Sequence, residues 1–285
     1  MTVKIATDSV SDIPAEISEE LGITVVPLYV HFGEQTYKDG IDLTTEEFYH
    51  KLETSPILPR TSAPGPGVFA QVFDRLSDIT NEILVITLSL KFSAFYQSAL
   101  QGMELMKRKC QIKVVDSKSA IMGEGMLVIE AAKEAISGAN LPKIVDKLYK
   151  RTGLVHIRAT MDTLKYLAMG GRIGKAQAFL GSVLRVNPIL GIKNGEAFPS
   201  GRERSRARAV EALYKFSTSF TNVKALAVEH ALNSHEAKAL AERIASVFSK
   251  VPIYKSMVSP VIGTHAGPGI LSVSVLEAES NQSET

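Results

Sequence analysis

Residues 83–88 read Ile-Leu-Val-Ile-Thr-Leu, an apolar run too short for a self-burying helix and rich in β-branched side chains. A strand of this kind packs both faces against other elements. Residues 112–115 repeat the pattern after a helical stretch at 95–108, and residues 3–7 supply an earlier strand. Strands joined by helical crossovers run parallel, so the N-terminal half predicts a parallel sheet with crossover helices. The same half predicts a strand over 23–32 and helices ending at Gly22 and spanning 44–52, 68–76 and 125–136. Ser11 or Asp12 caps the first helix, with Pro14 in its opening turn, and Thr44 or Thr45 caps the second, where Glu46 and Glu47 suit the helix dipole. Residues 55–67 hold four of the twelve prolines, Pro56, Pro59, Pro64 and Pro66, which predicts a rigid, non-helical loop.

The grammar changes near Thr152-Gly153. A strand over 154–159 precedes two helices separated by Gly170-Gly171-Arg172-Ile173-Gly174-Lys175. Then come a strand over 189–193, a hairpin turn at Asn194-Gly195, a further strand, a basic helix over 202–216, a strand over 225–229, a helix over 236–248 and two final strands. Hairpins imply a mixed or antiparallel sheet. The expected organisation is an α/β domain over 1–153, a mixed α/β domain over 154–276 and a polar tail over 277–285.

Composition narrows the function by exclusion. With 32 basic and 30 acidic side chains the net charge is +2, which leaves no field to draw the molecule onto nucleic acid or an anionic membrane. The single cysteine, Cys110, has no partner for a disulfide, and no Cys/His spacing suits zinc, so no metal and a reducing, cytoplasmic location are expected. Its neighbours Lys107, Arg108 and Lys109 would lower its pKa. The N-terminus lacks a secretion signal. The uncharged run 256–276 contains Pro260, Gly263, His265, Gly267, Pro268 and Gly269 and reads as strand, loop, strand rather than a membrane span. Dinucleotide, hydrolase-elbow and zincin signatures are missing, and residues 171–176 fail the phosphate-loop pattern at Ala176.

Ligands of open parallel sheets sit beyond the carboxyl ends of the strands. There the chain places Thr7-Asp8-Ser9, Ser89 with Ser93, and Asp116-Ser117 with Ser119, while the proline-rich segment adds Thr61 and Ser62. Hydroxyls gathered without Lys or Arg in the same segments suit one small polar or anionic head held by neutral donors; equally, such residues cap helices after strands. His265, among glycines, is the best placed of the six histidines.

Eight segments carry a resemblance over nearly the whole chain: IATDSVSDIP (5–14), VVPLYVHFG (25–33), YKDGIDLTTEEFY (37–49), RTSAPGPG (60–67), LSLKFSAFYQSA (88–99), VVDSKSAIMGEGM (114–126), LKYLAMGGRIGKAQAFLGSVLRVNPIL (164–190) and PVIGTHAGPG (260–269). The chain resembles the DegV family of fatty-acid-binding proteins. That resemblance implies a DegV-like (EDD) α/β fold with a buried long acyl chain of the palmitate, stearate or oleate class. The carboxylate would be held by Thr61, Ser62, Ser93, the backbone of Ala94 and His265. It implies no cofactor and no catalysis by the chain itself. A separate fatty acid kinase would phosphorylate the presented carboxylate, and the acyl phosphate would feed phospholipid synthesis.

Arg172 and the stretch containing Arg202 and Arg204 are then candidates for docking the kinase. The family's Ser-Ser-x-Leu-Ser-Gly-Thr-Tyr is here Ser89-Leu90-Lys91-Phe92-Ser93-Ala94-Phe95-Tyr96, so Phe95 is expected to narrow the cavity. The usual Gln-Pro-Ser after Thr61-Ser62 is Ala63-Pro64-Gly65. Two other readings stand beside this one: a lipid-ester hydrolase using Ser93, His265 and Asp8 or Asp116, and a regulatory protein that contacts polyanions through the basic stretch 202–208.

Overall fold

A computed structural model of the chain describes residues 2–180 and 186–279. β1 (Lys4–Asp8) leads through α1 (Ala15–Glu20) to β2 (Thr24–Val26). A small excursion follows: β3 (Tyr29–Phe32), β4 (Gln35–Lys38), α2 (Thr45–Thr54) and β5 (Arg60–Ser62). α3 (Pro66–Leu76), β6 (Glu82–Thr87), α4 (Phe95–Leu105) and β7 (Gln111–Asp116) complete a parallel sheet of order β2-β1-β6-β7. After α5 (Ile121–Ile136) and α6 (Leu141–Thr152) come β8 (Val155–Thr160), α7 (Lys165–Met169), β9 (Asn187–Lys193) and β10 (Glu196–Glu203). The chain continues through α8 (Arg206–Thr218), β11 (Val223–His230), α9 (Ser234–Val247), β12 (Ile253–Met257), α10 (Pro260–Ala266) and β13 (Leu271–Glu277). These strands form a mixed sheet of order β10-β9-β8-β13-β11-β12, in which the β11/β12 pair alone is parallel.

The α/β class with a parallel and a mixed sheet is therefore observed. α5 lies between the two sheets and is buried on nearly every side, which its sequence IMGEGMLVIEAAKEAI allows. A Cβ at Gly123 would overlap Ile157, and one at Gly125 would overlap the Ser11 carbonyl. Those glycines serve close packing, so the helix starts at Ile121 rather than at 125.

Other expectations need correction. The strand over 23–32 breaks at Pro27, whose missing N–H ends the ladder with β1, and β3 joins a separate antiparallel sheet of order β4-β3-β5. Residues 60–62 of the proline-rich segment are strand, and Pro66 opens α3. α6 was not foreseen, although Asn140 caps it by accepting from the Lys143 amide. The basic stretch is not one helix. Arg202 belongs to β10, Arg204 to the following turn, and α8 starts after Ser205, its cap. Residues 260–266 are helix, not loop. Of the tail over 277–285, Glu277 closes β13 and residues 280–285 lie outside the described residues. Among the described residues no helix is long and apolar enough to cross a membrane.

Candidate functional site

Side chains two apart on a strand share a face, and Ile157 and Ala159 of β8, with Met161 just past its end, line one cavity together with residues of the N-terminal half of the chain. Neighbouring β9 adds Leu190, which pairs with Ala159, and Ile192. These side chains border a cavity of about 470 Å³ that is also lined by Leu28, Phe92, Val261 and Ile262 and by Ala120 and Ile121 at the start of α5. Its size falls in the range of small-ligand sites.

Polar groups converge at one part of the wall. Thr61 and Ser62 are consecutive on β5, so their side chains point to opposite faces. Thr61 Oγ1 lies 2.8 Å from His265 Nε2. Ser62 Oγ lies 2.8 Å from His31 Nε2, and that ring also reaches Thr36. Ser62 borders the cavity, yet its hydroxyl is engaged on the outer side. Ser93, just before α4, accepts the Phe95 amide and borders the cavity with Ala94 and Ser98. Ala94 has φ −76°, a conformation that needs no glycine. Ser98, four residues after Ala94 on the same helical face, was missed although its spacing marks it. Phe95 does not narrow the cavity: it is fully buried against Phe69, 4.8 Å away edge to face.

Most of the other hydroxyls foreseen at the strand ends serve the framework. Thr7 bonds Glu124, Asp8 accepts the Leu88 and Val10 amides, Ser9 bonds Asp39, and Ser89 donates to the Gly195 carbonyl. Asp116 and Ser117 accept amides of their own loop. The neutral-donor picture also changes, because Arg172 lines the cavity. Its guanidinium is half-buried and donates to the carbonyls of Phe92 (3.1 Å) and Gly170 (2.7 Å). Arg202 and Arg204 are exposed, whereas Arg206 is tied to Glu236 and the Gly269 carbonyl.

Burial, with the nearby Arg172 charge, lowers His265 to about 4, so the ring is neutral at pH 7. Its Nδ1 is buried without a partner among the described residues. An orphaned N–H is rarer and costlier than an orphaned lone pair, which places the proton on Nε2, donating to Thr61 Oγ1. The threonine proton is then free for a ligand in the cavity. The hydrolytic constellation is not assembled, because His265 Nε2 faces Thr61, Nδ1 meets no carboxylate, and Asp8 is spent on backbone amides. Cys110 also departs from expectation: burial and Glu82 raise its thiol rather than the basic neighbours lowering it.

The Gly170-Gly171-Arg172 turn shapes this wall. A Cβ on Gly170 would overlap the His265 ring, while Gly171 has φ +70° and open space around its Cα. Gly170→Ala is expected to push the ring off Thr61 and weaken ligand uptake about tenfold, the value of one such hydrogen bond. Gly171→Ala should lower the melting temperature through backbone strain and leave uptake intact. Titration of both variants with a fluorescent long-chain acid checks this; equal affinities would show that the ring position does not matter.

A family model described as an uncharacterised protein of the DegV family matches residues 2–278. A DegV domain-containing protein of Halalkalibacterium halodurans is 36% identical over 282 residues, covering 95% of this chain and 97% of the relative. Among solved structures, DegV of Bacillus subtilis, a fatty acid binding protein, superposes with a TM-score of 0.90 at 29% identity, covering 98% of this chain and 100% of its own. A stearic acid-binding protein from Eubacterium ventriosum superposes at 0.88 with 26% identity, covering 96% and 98%.

Proposed function

The chain belongs to the DegV family, and from that membership we propose that its cavity binds a long-chain fatty acid. The observation that carries this reading is an apolar cavity of about 470 Å³ with Thr61, Ser93, His265 and Arg172 on one stretch of its wall. An acyl chain of about sixteen methylenes gains roughly 0.8 kcal/mol for each one buried, so apolar contact sets affinity and the polar wall sets orientation. The carboxylate accepts from the hydroxyls of Thr61 and Ser93 and from the Ala94 amide at the start of α4, where the helix dipole favours an anion. Ser62, already engaged by His31, contributes least. Arg172, held by two carbonyls, adds a positive field behind the head.

The halves over 1–153 and 154–276 act as two domains that close on the acyl chain. The protein works in the cytoplasm, uses no cofactor and does no chemistry of its own; it presents the acid to a separate fatty acid kinase that makes the acyl phosphate for phospholipid synthesis. Exposed Arg202 and Arg204 dock that kinase, while half-buried Arg172 serves the head group instead. Native mass spectrometry followed by denaturing extraction tests the binding reading. The expected result is one long-chain fatty acid per chain, carried through purification or taken up on addition. A protein that is empty and stays empty after incubation with palmitate, stearate and oleate overturns it.

A further inference from the structure

The first turn of α5 is built against local preference. Ala120 stands at its cap position and has no side-chain acceptor to offer the first amides of the helix. Ile121 follows at φ +51°, the left-handed region that a β-branched side chain enters only at a steric cost. Such a residue persists where its surroundings hold it. The holding group comes from 107 positions along the chain: Glu229 Oε1, on β11, accepts the Met122 amide at 2.8 Å. Ser272 and Ser274 of β13 donate to Glu229 Oε2 at 3.1 and 3.3 Å, which fixes the carboxyl from the side of the mixed sheet. All three side chains are fully buried. Glu229 thus satisfies an orphan amide that no local cap reaches, and it does so between the two halves of the chain.

What Glu229 holds in place is part of the acyl cavity. Ala120 and Ile121 line that cavity and bring it no polar side chain, whereas Thr61, Ser93, Arg172 and His265 come from other elements. The first turn of α5 therefore meets the hydrocarbon of a ligand and not its head. Gly123 keeps the turn close to the opposite wall, since a Cβ there would overlap Ile157. A relaxed φ at Ile121 would swing its side chain off its present place. Resting on the fatty-acid reading above, we propose that Glu229 is a positioning residue for acyl-chain selection. It holds Ile121 as a stop in the cavity, so the length of acid accepted is set by a carboxyl that does not itself line the cavity. The stop is stiff because a β-branched side chain has few rotamers, and it stands only while β11 and α5 keep their packing.

Titration of the full chain with laurate, palmitate, stearate, arachidate and behenate tests this as a ratio of affinities. Ile121→Gly suits the left-handed backbone and removes the side chain, so it should make room for about two methylenes and raise the affinity for arachidate relative to palmitate about tenfold. Glu229→Ala leaves the Met122 amide uncapped and should move the same ratio in the same direction; Glu229→Gln keeps an acceptor and should retain the native ratio. Combined with Ile121→Gly, Glu229→Ala should move the ratio no further, because the stop it positions is gone. A merely structural glutamate would weaken every acid alike, and a ratio unmoved by Glu229→Ala or by Ile121→Gly overturns the proposal. Should Glu229→Ala fail to fold, Ser272→Ala together with Ser274→Ala frees the carboxyl to leave Met122 and decides by the same ratio. A native chain that takes up no acid of any length overturns the fatty-acid reading itself, whereas normal uptake with an unmoved ratio overturns this proposal alone.

Discussion

Ala159→Phe is expected to weaken binding of stearate-length acids about a hundredfold while leaving medium-chain acids nearly unaffected. Ala159 lies in the apolar floor between Ile157 and Met161, opposite Leu190 on the neighbouring strand. Ala159 is buried but borders the cavity, so a phenyl ring there has the cavity to enter and the acyl chain loses space. Displacing about four methylenes from apolar contact costs roughly 3 kcal/mol, about a hundredfold in affinity. An acid short enough to end before Ala159 loses nothing. Competition titrations with saturated acids of increasing length check this as a break in the affinity series. A uniform loss at every length would place the ring at the head-group end, and no loss would remove the chain from this floor.

What the sequence revealed followed the range of the forces involved. β6 is legible because a strand buried on both faces has to be continuously apolar, which is local information, and β7, an edge strand with Lys113 exposed, is marked by its β-branched residues Ile112, Val114 and Val115. The α10 segment reads as a loop because Gly263, Gly267 and Gly269 are poor helix formers. Yet a Cβ on Gly263 would overlap Phe48 and Tyr49, residues far along the chain whose packing no local pattern displays. The sequence pattern puts the start of α5 too late for the same reason, two glycines serving contacts rather than a turn. At the site, residue types marked Thr61 and His265, but their meeting across 204 positions is a property of the fold. Arg172 reads as a surface group, since a sequence shows charge and not burial. The strand-end hydroxyls divided the other way: their types suggested a ligand, and the backbone had already taken most of them.

Lowering the pH from 8 to 5.5 is expected to raise the melting temperature, opposite to ordinary acid denaturation. Five buried carboxyls decide this. Burial lifts Asp8, Asp39 and Glu229 to about 7, and lifts Asp12 and Glu124 well above their ordinary values, with Asp8 adding repulsion at Glu124. In the unfolded chain these groups lose their protons near 4. Between about 4 and about 7 the folded state therefore holds protons that the unfolded state has lost, and stability falls as pH rises through that window. His265 works in the other direction, since its folded value of about 4 lies below the ordinary 6.5 and charging it favours unfolding as pH falls. It is one group against five. Glu130, held below its ordinary value by Lys224 and Lys133 against the cost of burial, withdraws stability only at lower pH, so the maximum should fall near pH 5. Each tenfold change in proton affinity is worth about 1.4 kcal/mol, and mutual relaxation among the five leaves a few kcal/mol in all, on the order of 5–10 °C for a chain this long. Glu229→Gln keeps an acceptor for the Met122 amide, removes one titrating group and should flatten the profile. A melting temperature that rises steadily from pH 5.5 to 8 would mean that these carboxyls are ionised in the folded protein.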